Sequence, residues 1–295
     1  MGRVRVGLSG WNYDDWRGDF YPRDLPKRRW LEHAIREVDT LEVNGTFYGL
    51  VSPDTVRSWR AAAPRGFTFA VKGSRYVTHQ KKLRDADRTV ANFFAQGVLE
   101  LDDALGPVLW QLPANLHFDE DRVEQFLSVL PHHTDDAVAL ARRHDDRVRE
   151  VAYGPGTAHR IRHVLEVRHE SYWCDAMARL ARRHGVALVF SHAGDWPYTE
   201  EVTAGFVYLR LHGTDPTYAS AYDDDALGWW ADRIRAWRDG GQPSDAHRFT
   251  DRTPPRRRGR DVYVYFDNDQ GGHAPRDAAR LRALLADRHG RGGRR

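Results

Sequence analysis

Polar and charged side chains recur at the ends of apolar stretches in this sequence, and their types suit anion binding and proton transfer. Residues 164–173 show the pattern, because Glu166 and Arg168 alternate there with Leu165 and Val167. Alternation with a period of two puts both charges on one face of a strand and both aliphatic side chains on the other. A charged pair on so apolar a strand is costly unless its members pair or face a wet cavity.

Further apolar stretches of the chain also end in polar residues on one side. These residues are Glu42, Asn44, Lys72, Gln111, Arg210, His212, Asn268 and Asp269. A barrel of parallel strands builds its binding site from side chains at the carboxyl ends of its strands. We therefore expect all of these residues to meet Glu166 and Arg168 at one end of a barrel.

The types of these residues indicate which chemistry they could support. Convergent lysine and arginine side chains suit phosphate or carboxylate, and arginine can bind either through two parallel hydrogen bonds. The candidate anion ligands are Lys72, Arg168 and Arg210. A carboxyl group whose pKa is raised by burial, or a histidine, can transfer a proton. The candidates for this catalytic role are Glu42, Glu166 and His212.

Other residues could orient the bound molecule. The polar candidates are Asn44, Gln111, Asn268 and Asp269, together with His79 from the basic loop 73–83. Aromatic residues crowd the loop after the first strand, namely Trp11, Tyr13, Trp16, Phe20 and Tyr21. Such a loop either folds back onto the barrel or forms a stacking wall for a ligand. Trp11 and Tyr13 are the candidate ligand contacts if it forms a wall.

A purely structural role is an open alternative for the charged residues. Barrels also contain buried ion networks, and such networks perturb pKa values without any chemistry. The residues that could form such a network are Glu42, Lys72, Glu166, Arg168 and Arg210.

A metal site is a second alternative, of the kind found in metal-dependent phosphodiesterase or sugar-processing barrels. The possible ligands are Glu42, His79, Glu166, His212 and Asp269. The sequence has no HxH or HExxH spacing at these positions, and neighbouring lysine and arginine side chains would repel a dication. We therefore expect no bound metal and no other cofactor.

Single-stranded nucleic acid is a further candidate partner, because basic and aromatic residues interleave. The basic loop contains Arg75, Tyr76, Lys81 and Lys82, and a second basic run occupies residues 256–260. Stacking platforms beside basic tracks are the parts that bind single strands. The net charge of only +3 favours solvated surface loops instead. A non-catalytic nucleic-acid-binding module is therefore the second functional hypothesis.

The order of strand-like and helical segments predicts the fold. Strands are expected at 4–10, 40–44, 68–72, 107–113, from 164, and at 186–190, 206–212 and 261–266, each followed by helical sequence. Such alternation implies right-handed βα units in a parallel sheet, and eight of them close into a (β/α)8 TIM-type barrel. We place this α/β domain at 1–289, with the aromatic loop after strand 1 and a basic loop, 240–260, before strand 8. The tail 290–295 is predicted to be disordered.

Composition indicates the cellular compartment of the protein. The chain has 295 residues and one cysteine, Cys174, so an intrachain disulfide is excluded. A single cysteine fits a reducing compartment. The N-terminal segment has no apolar run long enough for a signal peptide or a membrane span. We expect a cytoplasmic protein without a membrane partner.

Short motifs spread over nearly the whole chain give a family resemblance. They are Ser9-Gly10-Trp11 with Tyr13, Trp16 with Gly18 and Phe20-Tyr21-Pro22, Glu42 with Asn44 and Thr46-Phe47-Tyr48, Phe67 with Phe69 and Val71-Lys72, Thr78-His79, Gln111 to Pro113, Glu166 with Arg168-His169, Ser171 and Trp173, Tyr208 with Arg210 and His212-Gly213, and Tyr265-Phe266 with Asn268-Asp269. In these motifs the chain resembles the DUF72 (YecE-like) family of barrel proteins.

The resemblance implies a (β/α)8-type fold but supplies no reaction, because this is a family of unknown function. The chain departs from the family pattern at Leu8, where threonine is common, at Gly45, where serine is common, and at Asp267, where asparagine is common. The residues themselves predict binding of a phosphate- or carboxylate-bearing molecule, with metal-independent acid–base or phosphodiester chemistry as the candidate activity. Whether the protein is an enzyme is left open.

Overall fold

Eight parallel strands close into a barrel in the order in which they occur along the chain. The computed structural model describes residues 1–194, 196–215, 217–252, 254 and 257–287. The strands are β1 (Val4–Ser9), β2 (Thr40–Val43), β3 (Thr68–Lys72), β4 (Leu105–Gln111), β5 (His163–Glu166), β6 (Ala187–His192), β7 (Phe206–Leu211) and β8 (Asp261–Phe266). The predicted (β/α)8-type barrel is confirmed.

Helices in the connections between strands cover the outside of the barrel. They are α1 (Trp30–Glu37), α2 (Gly45–Tyr48), α3 (Pro53–Ala62), α4 (Ala86–Ala95), α5 (Glu120–Val129), α6 (Thr134–Ala141), α7 (Asp175–Arg183), α8 (Asp224–Arg238) and α9 (His273–Ala286). Helical spacing gives each longer helix an apolar stripe. In α1 this stripe is Trp30, Ala34 and Ile35, all buried. Burial of these stripes against the strands forms the main hydrophobic core.

Alternation along the strands separates this outer core from the interior of the barrel. The inward-facing residues form a second apolar cluster of Ala70, Leu109, Val164, Ala187, Val189, Phe206, Tyr208, Tyr263 and Tyr265. The next inward position lies two residues further along each strand. Lys72 thus follows Ala70, and Glu166 follows Val164, which places polar side chains just above the apolar interior.

Local sequence signals explain where two of the helices begin or end. The Ser52 hydroxyl accepts a hydrogen bond from the Thr55 amide at 3.3 Å, and Pro53 is the first residue of α3. Gly185 follows the last turn of α7 with a φ of +62°, which suits glycine. A serine before a proline and a glycine after the last helical turn are the residue types expected at these two helix ends.

The connection between β6 and β7 differs from the prediction that helical sequence follows every strand. The described part of residues 193–205 contains no helix. Pro197 lacks an amide donor, and the segment is instead held by two buried glutamates. Glu200 forms an ion pair with Arg233 at 3.1 Å, and Glu201 forms one with Arg182. Side-chain ion pairs therefore replace a helix on this side of the barrel.

The ends of the chain and the basic loop are described in part. The predicted disordered tail, 290–295, lies outside the described residues, as does Arg256 in the basic run before β8. Within the described residues, no helix combines the length and apolar character needed to cross a bilayer.

Candidate functional site

The polar residues above the apolar interior meet at the carboxyl ends of the strands, an end that we call the mouth. Strand register brings them side by side, because Ser9 pairs with Glu42, Gln111 with Glu166, and Ser191 with Arg210. Parallel pairing keeps equivalent inward positions level around a barrel. The mouth is therefore lined by residues from several strands, as the sequence pattern predicted.

Arg210 occupies the centre of the mouth and is only 1% exposed. Its Nε and Nη2 donate to the two oxygens of Glu42 at 3.2 and 2.9 Å. Glu42 also accepts hydrogen bonds from the Ser9 hydroxyl at 2.7 Å and the Tyr208 hydroxyl at 2.6 Å. These donors fill the roughly four lone-pair sites of a carboxylate. Glu42 is therefore placed to orient Arg210, with no acceptor left for a substrate proton.

The other donors of Arg210 are also engaged. Nη1 donates to Glu166 at 3.1 Å, and Nη2 donates to Asp267 at 2.8 Å and to Ser9 Oγ at 3.0 Å. Three carboxylates thus surround one guanidinium, which also contacts the Nε2 atom of His212 at 3.4 Å. Arg210, a candidate anion ligand, is occupied within the protein. We call this cluster the ion network, and its members are Ser9, Glu42, Glu166, Arg168, Arg210, His212 and Asp267.

Arg168 extends the ion network toward solvent. Its Nη2 and Nε donate to Glu166 at 2.9 and 3.2 Å, so these two residues form an ion pair. Its guanidinium stacks 3.9 Å from the centre of the Trp196 ring, and its side chain keeps 18% exposure. Burial alone would raise the pKa of Glu166, but Arg168 and Arg210 hold it at about 2. Glu166 is therefore ionised at neutral pH and cannot act there as a proton donor.

His212 is enclosed beneath two aromatic side chains. Its Nδ1 lies 2.8 Å from Oδ2 of Asp267, and its ring centre lies 4.9 Å from Trp196 and 5.3 Å from Tyr218. Burial and the neighbouring Arg210 lower the pKa of His212, while Asp267 opposes them. The imidazole is thus held close to an acceptor on one side and to a cation on the other.

Lys72 differs from the other charged residues of the mouth. Its side chain is buried, and its Nζ lies 4.6 Å from the centre of the Phe47 ring. Among the described residues its ammonium forms no ion pair. Burial and Arg210 lower the pKa of Lys72. His79 lies on the same ring, 5.1 Å from Phe47, and its pKa is lowered by burial and by Arg168.

Asp269 is the acidic group of the mouth that titrates near neutrality. Burial and the adjacent Asp267 raise the pKa of Asp269 to about 7. Its Oδ1 is buried without a hydrogen-bond partner in the described part of the chain. The Trp16 indole donates to its backbone carbonyl at 2.7 Å, and Tyr13 donates to the Ser9 carbonyl at 2.7 Å. The loop after β1 is thereby tied to the loop after β8.

Three candidate amides have a buried acceptor without a partner in the described residues, and one of them, Asn268, also holds loops together. The Nδ2 atom of Asn44 donates into the ion network at 3.2 Å, whereas its Oδ1 is buried without a partner in the described residues. Oε1 of Gln111 is likewise buried and unpartnered there. Asn268 donates to the Ser220 carbonyl and to Asp277, both at 2.9 Å. Asn44 and Gln111 are thus placed to accept hydrogen bonds, while Asn268 fastens the loop before α8 to α9.

The aromatic loop after β1 folds back onto the barrel. The Trp11 ring lies 5.9 Å from Trp59, which packs against the outer core, and 6.5 Å from Phe69, which belongs to it. Trp16 is 1% exposed and packs 4.6 Å from Tyr13. Of the two alternatives for this loop, packing therefore describes Trp11, and Tyr13 alone reaches the ion network through Ser9.

Sequence reasoning missed several residues of the mouth. They are Ser9, Ser191 and Tyr208 on the strands, Asp267 directly after β8, and Trp196 in the loop after β6. The spacing of two could have found the first four. Ser9 and Ser191 pair with Glu42 and Arg210, Tyr208 precedes Arg210 by two residues, and Asp267 follows Tyr265 by two. Trp196 gave no such signal, since its contact with Arg168 is made across two loops.

Metal ligation finds little geometric support in the described residues, which contain no group of three or more His, Cys, Asp or Glu side chains suited to a metal ion. His79 lies near Phe47 and Lys72, while His212 is enclosed with Arg210. The positive charges beside both imidazoles would oppose a dication. The expectation of a metal-free mouth stays a prediction.

Fold and mouth together define a (β/α)8 barrel with a buried ion network at its carboxyl end. The family model described as "Protein of unknown function DUF72" matches residues 5–293, so the chain belongs to this family. It is similar to the UPF0759 protein YecE of Escherichia coli strain K12, with 29% identity over 111 residues. That match covers 38% of this chain and 38% of YecE.

Solved structures of the family show the same fold. A DUF72 family protein of Thermotoga maritima has a TM-score of 0.72 and 22% identity, covering 97% of this chain and 100% of that chain. A DUF72 family protein of Enterococcus faecalis has a TM-score of 0.66 and 15% identity, covering 97% of this chain and 98% of that chain. At these identities the likeness concerns the fold alone.

Proposed function

We propose that the mouth binds a small anionic molecule that carries hydroxyl groups, with its phosphate or carboxylate held by Lys72 and Arg168. The observation that carries this proposal is the position of Lys72. The silent ion network, considered above as an alternative, accounts for Glu42, Glu166, Arg168 and Arg210, which pair with one another. It leaves Lys72 buried without an ion pair among the described residues.

The energetics of burial favour an external partner for Lys72. An unpaired buried ammonium costs several kcal/mol, in order of magnitude, and the effect is expressed as a lowered pKa. The nearby carboxylates of Glu42, Glu166 and Asp267 are already engaged by Arg210. An anionic ligand would supply the missing charge, and Arg168 would bring its partly exposed guanidinium to the same group.

The unpartnered acceptors of the mouth indicate which other groups the ligand would carry. Asn44 Oδ1, Gln111 Oε1 and Asp269 Oδ1 are buried without partners in the described residues. An unsatisfied buried acceptor costs about 1–3 kcal/mol, and a donor on the ligand would remove that cost. Hydroxyl groups are the donors that a phosphorylated or carboxylated metabolite commonly brings. A sugar phosphate or a sugar acid meets both requirements.

If the bound molecule reacts, Asp269 is the group placed to move a proton. A general acid or base works best when its pKa lies near the operating pH, and the pKa of Asp269 is about 7. Glu42 and Glu166, which the sequence suggested for this role, instead orient Arg210 and Arg168. His79 and His212 remain candidates for a second proton-transfer group, and His212 requires movement of Trp196 to reach a ligand.

Single-stranded nucleic acid is less well supported as the occupant of the mouth. A stacking platform requires aromatic faces that are free to meet bases. Trp11 packs beside Trp59, and Trp16 is 1% exposed. The aromatic loop therefore contributes to the protein core.

Thermal-shift measurements test the proposal with three probes at equal ionic strength: glycerol 3-phosphate, gluconate and uncharged glycerol. We expect one or both anions to raise the melting temperature of the wild type and glycerol to leave it unchanged. Lys72→Met should abolish the response, whereas Lys82→Met, with the same change in charge, should retain it. An equal response in Lys72→Met and Lys82→Met would contradict the proposal.

A further inference from the structure

A second basic site lies at the opposite end of the barrel from the mouth. A cavity of about 290 Å³ opens there among residues that precede strands, and we call it the floor cavity. Its polar lining is His132, Arg160, Arg162, Arg182, Thr203 and Arg257. Arg160 and Arg162 precede β5, Arg182 lies in the last turn of α7 before β6, Thr203 precedes β7, and Arg257 precedes β8. The chain thus brings four arginines from three connections to one end of the barrel.

The arginines of the floor cavity are only partly neutralised. Arg162 pairs with Asp261 at 2.8 Å, and Arg182 pairs with Glu201. Arg160 and Arg257 form no ion pair within the described residues. Two of the four guanidinium groups thus contact a carboxylate, and the other two contact none within the described residues.

Aromatic residues at this end of the barrel carry further arginine side chains beside the floor cavity. Arg162 lies 5.2 Å from the centre of the Phe206 ring and donates to the Tyr263 hydroxyl at 3.0 Å. Arg5 lies on the same tyrosine, 5.2 Å from its ring centre, and its Nε and Nη1 are buried without partners in the described residues. Arg5 and Arg162 therefore add positive charge on the barrel side of the cavity.

We propose that the floor cavity binds a phosphate or pyrophosphate group, held mainly by Arg160 and Arg257. Two guanidinium groups without carboxylate partners offer paired N–H donors that match phosphate oxygens. Arg162 and Arg182 are held in place by their own ion pairs and add to the positive field. The cavity volume of about 290 Å³ suits a small phosphorylated molecule, since small-molecule pockets measure about 300–1,000 Å³.

The arginine-rich composition of the chain does not by itself produce this arrangement. Arg57, Arg122 and Arg280 stand on the surface beside acidic neighbours and form ion pairs. Arg160 and Arg257 are also exposed, but they line a cavity that already holds two paired arginines, and neither forms an ion pair within the described residues. Burial and Arg160 lower the pKa of His132, as expected of a site with positive potential. The floor cavity is independent of the ligand proposed for the mouth.

Calorimetric titration of the full chain with inorganic pyrophosphate, at constant ionic strength set by sodium chloride, tests this site. The wild type should bind pyrophosphate, and Arg160→Gln combined with Arg257→Gln should bind about tenfold or more weakly, since charge-assisted hydrogen bonds are lost. A matched double variant, Arg28→Gln with Arg143→Gln, removes the same charge from exposed arginines that form no ion pair in the described residues. It should bind like the wild type.

A fourth protein, Lys72→Met, separates this site from the mouth. Unchanged pyrophosphate affinity in Lys72→Met, with loss in the Arg160/Arg257 variant, supports the floor cavity whether or not the mouth binds an anion. Loss in Lys72→Met with full binding in the Arg160/Arg257 variant would assign pyrophosphate to the mouth and overturn this inference. Absence of binding to the wild type would overturn it as well. Melting curves without pyrophosphate establish that each variant is folded.

Discussion

The ammonium of Lys72 lies over the Phe47 ring, 4.6 Å from its centre, and forms no ion pair within the described residues. A ring face stabilises a desolvated cation by about 2 kcal/mol. Burying an ion costs several kcal/mol, in order of magnitude. The Phe47 ring therefore offsets only part of the cost of burying the ammonium. The remaining cost lowers the stability of the folded protein, and an anionic ligand would reduce it.

Replacing this lysine should stabilise the protein while removing ligand binding. Lys72→Met keeps the apolar stem beside Phe47 and removes the charge, so we expect the free energy of unfolding at pH 7 to rise by about 1 kcal/mol or more. Urea denaturation measures the change, with Lys82→Met as a control that should stay within about 0.5 kcal/mol of the wild type. A clear loss of stability in Lys72→Met would mean that the ammonium has a partner inside the protein.

The stability of Lys72→Met relative to the wild type should depend on pH. Because the pKa of Lys72 is lowered in the folded protein, the folded state binds this proton less well than the unfolded state does. The destabilisation caused by Lys72 is therefore complete below the pKa that this residue has in the folded protein. It vanishes above the pKa of lysine in the unfolded chain, about 10.4. The advantage of Lys72→Met over the wild type should shrink as the pH rises toward about 10.4. An advantage that is constant with pH would argue against a titrating lysine.

Arg210 should be essential for stability, because it neutralises three buried or nearly buried carboxylates. Arg210→Met leaves these charges without their common partner, and we expect a loss of about 3–5 kcal/mol. Adding Asp267→Asn removes one of the charges and should recover part of the loss, and Asn is common at this position in the family. Urea denaturation of the single and double variants measures the coupling. A purely additive double variant would show that Asp267 and Arg210 do not interact energetically.

Asp269 should make stability fall as the pH rises through neutrality. The pKa of Asp269 is raised to about 7 in the folded protein by burial and by Asp267, against about 3.9 in an unfolded chain. Its protonated form therefore favours folding below about pH 4, and this contribution is lost as the pH rises through about 7. Asp269→Asn should lack this dependence. From pH 4 to 8 the melting temperature of Asp269→Asn should rise relative to that of the wild type, and parallel curves would contradict the raised pKa.

Trp196 should control access to His212. The indole lies 4.9 Å from the imidazole, which is fully buried. Trp196→Ala should expose His212 to diethyl pyrocarbonate, and mass spectrometry of peptides can follow its modification against exposed His133. Equal, slow modification of His212 in the wild type and in Trp196→Ala would show that Tyr218 or another group covers the ring by itself.

The strand-end pattern in the sequence was enough to predict where the polar residues gather. Alternation with a period of two fixes which side chains of a strand face the interior, so Lys72, Glu166 and Arg210 could be assigned to one mouth. The pattern could not show which of them pair. Arg210 meets Glu42 and Glu166 across the barrel, and these contacts depend on how the eight strands close.

Loops account for most of what the sequence could not predict. Trp196 approaches Arg168 from the connection after β6, where helical sequence had been expected and buried ion pairs hold an irregular segment instead. The floor cavity likewise joins arginines that are far apart in the chain. Local propensity contains no information about such contacts, because they arise only when separate connections meet at one end of the barrel.

The pKa of Lys72, followed by NMR, shows whether the mouth holds a buried ammonium that an anion can pair with. The chain contains four lysines, Lys27, Lys72, Lys81 and Lys82, so a protein labelled with ¹³C-lysine gives few signals. We predict a pKa for Lys72 below the ordinary lysine value of about 10.4, and an upward shift on addition of glycerol 3-phosphate or gluconate, because an anion favours the charged ammonium. Lys72→Arg identifies the signal. An ordinary pKa in the free protein, or a Lys72 signal that neither anion moves, would contradict the account.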